Sequence, residues 1–133
     1  MNWFLLLIVA FVVFLAVRQL ILARPGIPLD EAQAALKAGT AILVDIREPL
    51  EWHHGVAKTA SLLPFSDLRG DRTQWRAFLE KNRSRKLLLY CASGTRSSLA
   101  VSTLKREGFD AVNAGSLRDW DKAGWPICSP KHR

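Results

Sequence analysis

Cysteine is scarce. Only Cys91 and Cys128 occur among 133 residues, too few for a disulfide scaffold or a four-thiolate zinc site. Acidic residues are missing from the first 24 positions, where Arg18 and Arg24 are the only charged side chains. Internal repeats and low-complexity stretches are also lacking, which excludes solenoids and compositionally biased linkers. His53 and His54 are adjacent, so on a helix they point about 100° apart and cannot share one metal. The sequence offers no metal-ligand cluster, and no metal or organic cofactor is expected. The basic run Arg83-Ser84-Arg85-Lys86 has no base-stacking motif beside it; it reads as a solvated face able to rest on anionic lipid, and nucleic acid is not an expected partner.

What is present fits one small domain. Hydrophobic residues make up 49% and charged ones 23% of the chain, which excludes a disordered polymer. Two of the 19 bases and none of the 12 acids fall in residues 1–24, leaving 17 against 12 for the rest. By charge alone that excess suits an anionic partner, whether phosphate, thiosulfate, nucleic acid or lipid headgroups.

Residues 3–17, WFLLLIVAFVVFLAV, are apolar without a break, and Leu20-Ile21-Leu22-Ala23 resumes the run after Arg18-Gln19. A helix over Trp3–Leu22 is about 30 Å long, the thickness of a bilayer core. Apolar residues occupy every face of it, which suits lipid better than a one-sided core. Arg18 can snorkel at one end, and Trp3 suits the opposite interface. A cleaved signal is the rival reading. It needs a basic start and small residues at the cleavage site, whereas Phe14-Leu15-Ala16 and Ile21-Leu22-Ala23 are bulky. The expectation is a retained single span over 3–22. Arg18, Arg24 and Lys37 flank its C-terminal side, which places the domain in the cytoplasm; a secreted or periplasmic product of signal cleavage is the alternative. A linker follows over 23–28, a folded domain over 29–127 and a C-terminal tail over 128–133.

Within the domain, helices are expected over Asp30–Ala38, Asp71–Lys81 (Asp71 and Gln74 as a capping box), Thr95–Glu107 and Ser116–Lys122. AILVD (41–45) and KLLLY (86–90) read as buried strands. Leu62-Leu63 and Ala111–Asn113 are shorter candidates. Trp52, Trp75, Trp120 and Trp125 are expected in the core. Strands alternating with helices indicate a parallel sheet covered on both faces.

Cys91 follows the KLLLY strand, and Thr95-Arg96-Ser97 opens the next helix. Sites in parallel α/β folds collect at the carboxyl ends of strands. A loop Cys91-Ala92-Ser93-Gly94-Thr95-Arg96 can curl so that backbone N–H groups converge on one point at a helix N-terminus. Gly94 permits the left-handed turn, and Arg96 adds a forked cation. Each feature favours thiolate, so the expected Cys91 pKa lies at roughly 5 to 7, with the sulfur only partly dehydrated.

These residues resemble the single-domain rhodanese family of sulfurtransferases over about residues 27–127. LLLYCASGTRSSLAVSTLKREGF (87–109) is similar to the family's strand, Cys-x-x-Gly-x-Arg-Ser loop, helix and Gly-Phe ending. Val44-Asp45-Ile46-Arg47-Glu48-Pro49-Leu50-Glu51-Trp52 is similar to its Asp-x-Arg-Glu-Pro-x-Glu-aromatic signature. The resemblance implies a rhodanese-like parallel sheet flanked by helices. It also implies that Cys91 takes a sulfane sulfur from a small donor and passes it to a thiol or cyanide. Arg96 would act with it, and Ala92, Ser93, Gly94, Thr95 and Ser97 would form the cradle. Arg47 is expected beside the substrate, and Asp45 as a loop ion pair.

Some positions depart from the family. The usual Gly-His-Ile-Pro-Gly-Ala reads Gly55-Val56-Ala57-Lys58-Thr59-Ala60, and the usual Gly-Gly reads Gly115-Ser116. Ala92 replaces a basic residue, which should make thiosulfate dianion a poor donor. Cys128 is expected to be a bystander thiol, with a resolving role as the alternative. A dual-specificity phosphatase would carry one residue more between Cys and Arg than the four here. A persulfide carrier or binding module that recruits a membrane or redox protein is the non-enzymatic alternative.

Overall fold

The computed structural model describes residues 2–132. Its core is a four-stranded sheet, ordered β3-β1-β4-β5, in which every neighbouring pair is parallel. The strands are β1 (Ala41–Asp45), β3 (Ser61–Leu62), β4 (Lys86–Cys91) and β5 (Ala111–Ser116). β1 and β4 are uninterrupted apolar runs because helices cover both faces of the sheet.

The period of two sorts β4 between two cores. Leu87, Leu89 and Cys91 point to one face, with Leu68 of α4 (Phe65–Arg69), Trp75 and Leu79 of α5 (Trp75–Lys81) and Leu104 of α6 (Thr95–Arg106). Leu88 and Tyr90 point to the other, with Ala32 of α2 (Leu29–Ala38) and Trp120 of α7 (Leu117–Lys122). A two-stranded antiparallel ribbon, β2 (Val56–Ala57) with β6 (Ile127–Cys128), closes the α7 side.

Several expectations are corrected. Residues 71–74 are not helical, and Arg72 has a positive φ of 55°. The N-terminus of α5 is capped from a distance: Asp67 accepts from the N–H groups of Thr73, Gln74 and Trp75, so Asp71 has no capping part. α4 and the four-residue α3 (Pro49–Trp52) were not anticipated. β3 begins one residue earlier than Leu62-Leu63, and β5 runs three residues past Asn113. Cys128 lies in a strand paired with Val56, so the ribbon crosses the boundary expected at 127/128. Trp75 and Trp120 are fully buried, whereas Trp52 and Trp125 are half-buried.

Helix α1 (Trp3–Ala23) is long and apolar enough to cross a membrane, and none of its residues is buried. It stops where Arg24 turns extended ahead of Pro25. Its C-terminal end lies against α6 and β5, next to the loop that follows β4.

Candidate functional site

β4 delivers Cys91 to the carboxyl edge of the sheet, and the chain turns there into α6. Gly94 makes the turn at φ 87° and is the N-cap of α6. Its N–H donates to Cys91 Sγ at 3.1 Å. Ser97 Oγ, one turn into the helix, lies 3.5 Å from the same sulfur. The sulfur thus meets a backbone donor at the positive end of a twelve-residue helix.

Cys91 is fully buried, not partly open as expected. Ala92 and Ser93 are exposed and form the outer lip, while Thr95 and Arg96 are half-buried. Thr95 Oγ1 sits 3.4 Å from Ser93 Oγ. A Cβ on Gly94 would collide with the backbone of Ala23, so only glycine lets the end of α1 approach the loop this closely. A cleft of about 310 Å³ opens at that junction, between Leu20, Ala23, Arg24 and Pro25 on one side and Ser93, Ser116 and Asp119 on the other.

Arg96 is expected to add a forked cation to the cradle, and nothing local in the sequence points to a partner for it. Its fork is instead held by Glu51, with Nη1 to Oε1 at 2.6 Å and Nη2 to Oε2 at 2.8 Å. Glu51 Oε1 also accepts the Glu48 N–H at 3.0 Å. The Arg96 hydrogen bond, opposed by burial, holds the Glu51 carboxyl down at about 2. Glu51 thereby ties α3 to the first turn of α6, a part the sequence reading did not give it. The signal was its place in the 45–52 signature.

The Arg47 guanidinium is engaged at the end of β1. Its Nη2 donates to Asp45 Oδ2 at 2.8 Å and to the Gly55 carbonyl at 2.7 Å, and Nη1 donates to the Glu51 carbonyl at 3.2 Å. Asp45 also accepts from the Tyr90 hydroxyl at 2.6 Å, which in turn accepts from the Ala57 N–H at 2.9 Å. Burial and the Asp45 charge both push the Tyr90 pKa up. These groups fix the ends of β1 and β4, so Asp45 is the ion pair expected and Arg47 is its partner.

Asn113 was missed as well. It is a buried polar residue on β5 that reaches Ser97, Gly94 and the end of α1. A polar side chain inside an otherwise apolar strand is the signal that could have found it.

The four-stranded parallel sheet thus carries a strand, a Cys-to-Arg loop and a helix in succession. The rhodanese-like domain model matches residues 28–123. The chain belongs to the rhodanese-like domain family. An uncharacterised Synechocystis protein is 33% identical over 93 residues, covering 68% of this chain and 49% of its own length. The chain thus spans about half of that relative. A sulfurtransferase of Allochromatium vinosum is 32% identical over 92 residues, 68% of this chain and 80% of the relative. The human single-domain sulfurtransferase TSTD1 superposes with a TM-score of 0.62 at 27% identity, covering 74% of this chain and 96% of that structure. The rhodanese-like relatives of the chain thus include sulfurtransferases.

Proposed function

We propose that the chain is a sulfurtransferase that moves a sulfane sulfur through a Cys91 persulfide, held at a bilayer by α1. The observation that carries this reading is the Cys91 sulfur at the start of α6 with the Gly94 N–H 3.1 Å away. A helix N-terminus and an aimed amide favour an anionic sulfur, whether thiolate or persulfide.

The chemistry runs in two displacements. The Cys91 thiolate attacks the outer sulfur of a donor R–S–S⁻; the new S–S bond forms as the old one breaks, and R–S⁻ leaves with the electron pair. A thiol or cyanide then attacks the outer sulfur of Cys91–S–S⁻, and the Cys91 thiolate leaves. No net electron is gained or lost by the protein. Ala92 and Ser93 form the edge past which donor and acceptor approach, and Thr95 and Ser97 line the first turn of the cradle. Arg96 acts by holding the loop, since Glu51 neutralises its charge. With Arg96 paired and Ala92 uncharged, thiosulfate dianion meets little net positive charge and is a poor donor. A phosphatase reading loses support for the same reason, because the fork that would clasp phosphoryl oxygens is already bound to a carboxylate.

The test is intact-mass spectrometry of the detergent-solubilised chain after exposure to thiosulfate, inorganic polysulfide or a low-molecular-weight persulfide. Wild type and Cys128→Ser should gain one sulfur that cyanide removes, and Cys91→Ser should gain none. Sulfur retained by Cys91→Ser and lost by Cys128→Ser would overturn the assignment.

A further inference from the structure

Asn113 sits where the sheet, the cradle and the end of α1 meet. Its Oδ1 accepts the Gly115 N–H at 3.0 Å, a backbone donor that settles which end of the amide is oxygen. The other end, Nδ2, then faces carbonyls: Leu22 at 3.0 Å, Gly94 at 3.1 Å and Arg24 at 3.4 Å. The amide therefore cannot flip without setting oxygen against oxygen on one side and N–H against N–H on the other. Two of those carbonyls belong to the last turn of α1 and the residue after it, groups that a helix end leaves without an internal partner.

The fixed Oδ1 lies 2.7 Å from Ser97 Oγ. Ser97 carries one hydroxyl proton and has three neighbours that could take it: Asn113 Oδ1, the Gly94 carbonyl at 3.1 Å and Cys91 Sγ at 3.5 Å. Asn113 Oδ1 is the nearest, and the Gly94 carbonyl is already served by Asn113 Nδ2 and the Ser98 N–H. With the proton on Asn113, Ser97 offers the sulfur only lone pairs, which suit a thiol S–H and not a thiolate.

We infer that Asn113 is a positioning residue for Cys91, directing the Ser97 hydroxyl proton away from the sulfur, so that this hydroxyl adds nothing to the Gly94 N–H and the helix end that favour an anionic sulfur. An arriving persulfide or a deprotonating Cys91 must win that proton from Asn113. The inference deepens the sulfurtransferase reading and rests on it only for the identity of the incoming sulfur. The charged groups on the elements packed round Cys91 include Arg96 of α6, Glu51 of α3 and its N-cap Glu48, Asp45 and Arg47 at the end of β1, Asp67 and Arg69 of α4, Asp119 of α7 and Arg24 after α1. Asn113 bonds none of these side chains and touches only the backbone of Arg24, so comparison with the Ser97→Ala background separates the effect of the hydroxyl from any shift of Arg24.

The experiment is the pH profile of iodoacetamide alkylation at Cys91 in the full chain, in detergent micelles, on a Cys128→Ser background. Asn113→Leu frees the Ser97 proton for the sulfur and should lower the midpoint by about one pH unit, or about tenfold faster alkylation below both midpoints. In a Ser97→Ala background the same change should have no effect on the midpoint. An unmoved midpoint in Asn113→Leu, or an equal shift with and without the Ser97 hydroxyl, would overturn the inference. If Asn113→Leu does not fold, Ser97→Ala alone decides by its sign. A hydroxyl that only accepts from the thiol gives an unchanged or lower midpoint when removed, and one that donates to the thiolate gives a higher midpoint, which is the overturning result. Alkylation needs no sulfur donor, so a chain that alkylates as expected but accepts no sulfur fails the functional reading and leaves this one standing.

Discussion

Thr59 occupies the place of the second glycine in the segment Gly55–Ala60, and its φ of 71° keeps a glycine's backbone conformation. A β-branched residue there is a strained choice, costing roughly 1–2 kcal/mol against a right-handed conformation. Its side chain is exposed, so little packing is lost on truncation. Glycine would remove the strain but adds freedom to the unfolded chain, which returns roughly 0.5–1 kcal/mol. Thr59→Gly should therefore stabilise by about 0.5–1 kcal/mol, the difference between those two effects. Thermal unfolding of the solubilised chain checks this, and an unchanged or lower midpoint counts against a strained Thr59. The other departure behaves differently. Ser116, in place of a second glycine before Trp120, has become the N-cap of α7: its Oγ accepts the Asp119 N–H at 3.1 Å while Asp119 Oδ2 accepts the Ser116 N–H at 2.9 Å. Here the substituted residue is matched by a reciprocal hydrogen bond.

Between elements, the Glu51–Arg96 pair joins α3 to the first turn of α6 and so fixes the loop that bears the sulfur. The Glu51 carboxyl is held at about 2, below its ordinary 4.5, chiefly by the Arg96 hydrogen bond. A depressed carboxyl stabilises the fold above its unfolded value, and that contribution is lost as pH falls from 4.5 toward 2. Because the two side chains are 31% and 33% exposed, solvent screening keeps the effect modest. Glu51→Gln should lower the thermal midpoint slightly at neutral pH and flatten its decline over that acid window. Parallel declines for both proteins would mean that the pair does not hold in solution. The same pairing shows what sequence can and cannot convey. β1 and β4 were legible as continuous apolar runs and α6 by its helical spacing, and the loop from Cys91 to Ser97 because it is contiguous. Glu51 and Asn113 reach the cradle from 45 and 16 residues away, across strand pairings that no local pattern encodes. α3, α4, β2 and β6 are two to five residues long, too short for periodicity to register. α5 was drawn four residues too long because its cap, Asp67, belongs to the preceding helix.

At the scale of the whole molecule, the cradle and the end of α1 form one junction. Asn113 binds the Leu22 and Arg24 carbonyls and the Gly94 carbonyl with the same nitrogen. Gly26 donates to the Asn113 carbonyl at 2.7 Å, so the linker is pinned along β5 as well. In the membrane-tethered reading, residues 3–22 fill a bilayer core and this junction stands at its surface, with donor and acceptor meeting Cys91 beside the headgroups. The junction also bears on whether α1 is retained. Cleavage after Ala23 would replace the Leu22 carbonyl by water at Asn113, and cleavage after Ala16 would leave a short apolar stub against α6. Retention keeps both contacts. An inward-facing domain is the orientation expected from charge: Arg18, Arg24 and Lys37 lie on the C-terminal side of the span, and basic flanks favour the cytoplasmic side. Protease added to intact cells should leave the domain uncut and the full-length chain in the membrane fraction. The same protease on inverted vesicles should release a fragment beginning in the linker, because residues 24–28 lie outside every helix and strand. A soluble chain beginning near residue 17 or 24, or digestion of the domain from outside the cell, would refute a retained span with an inward-facing site.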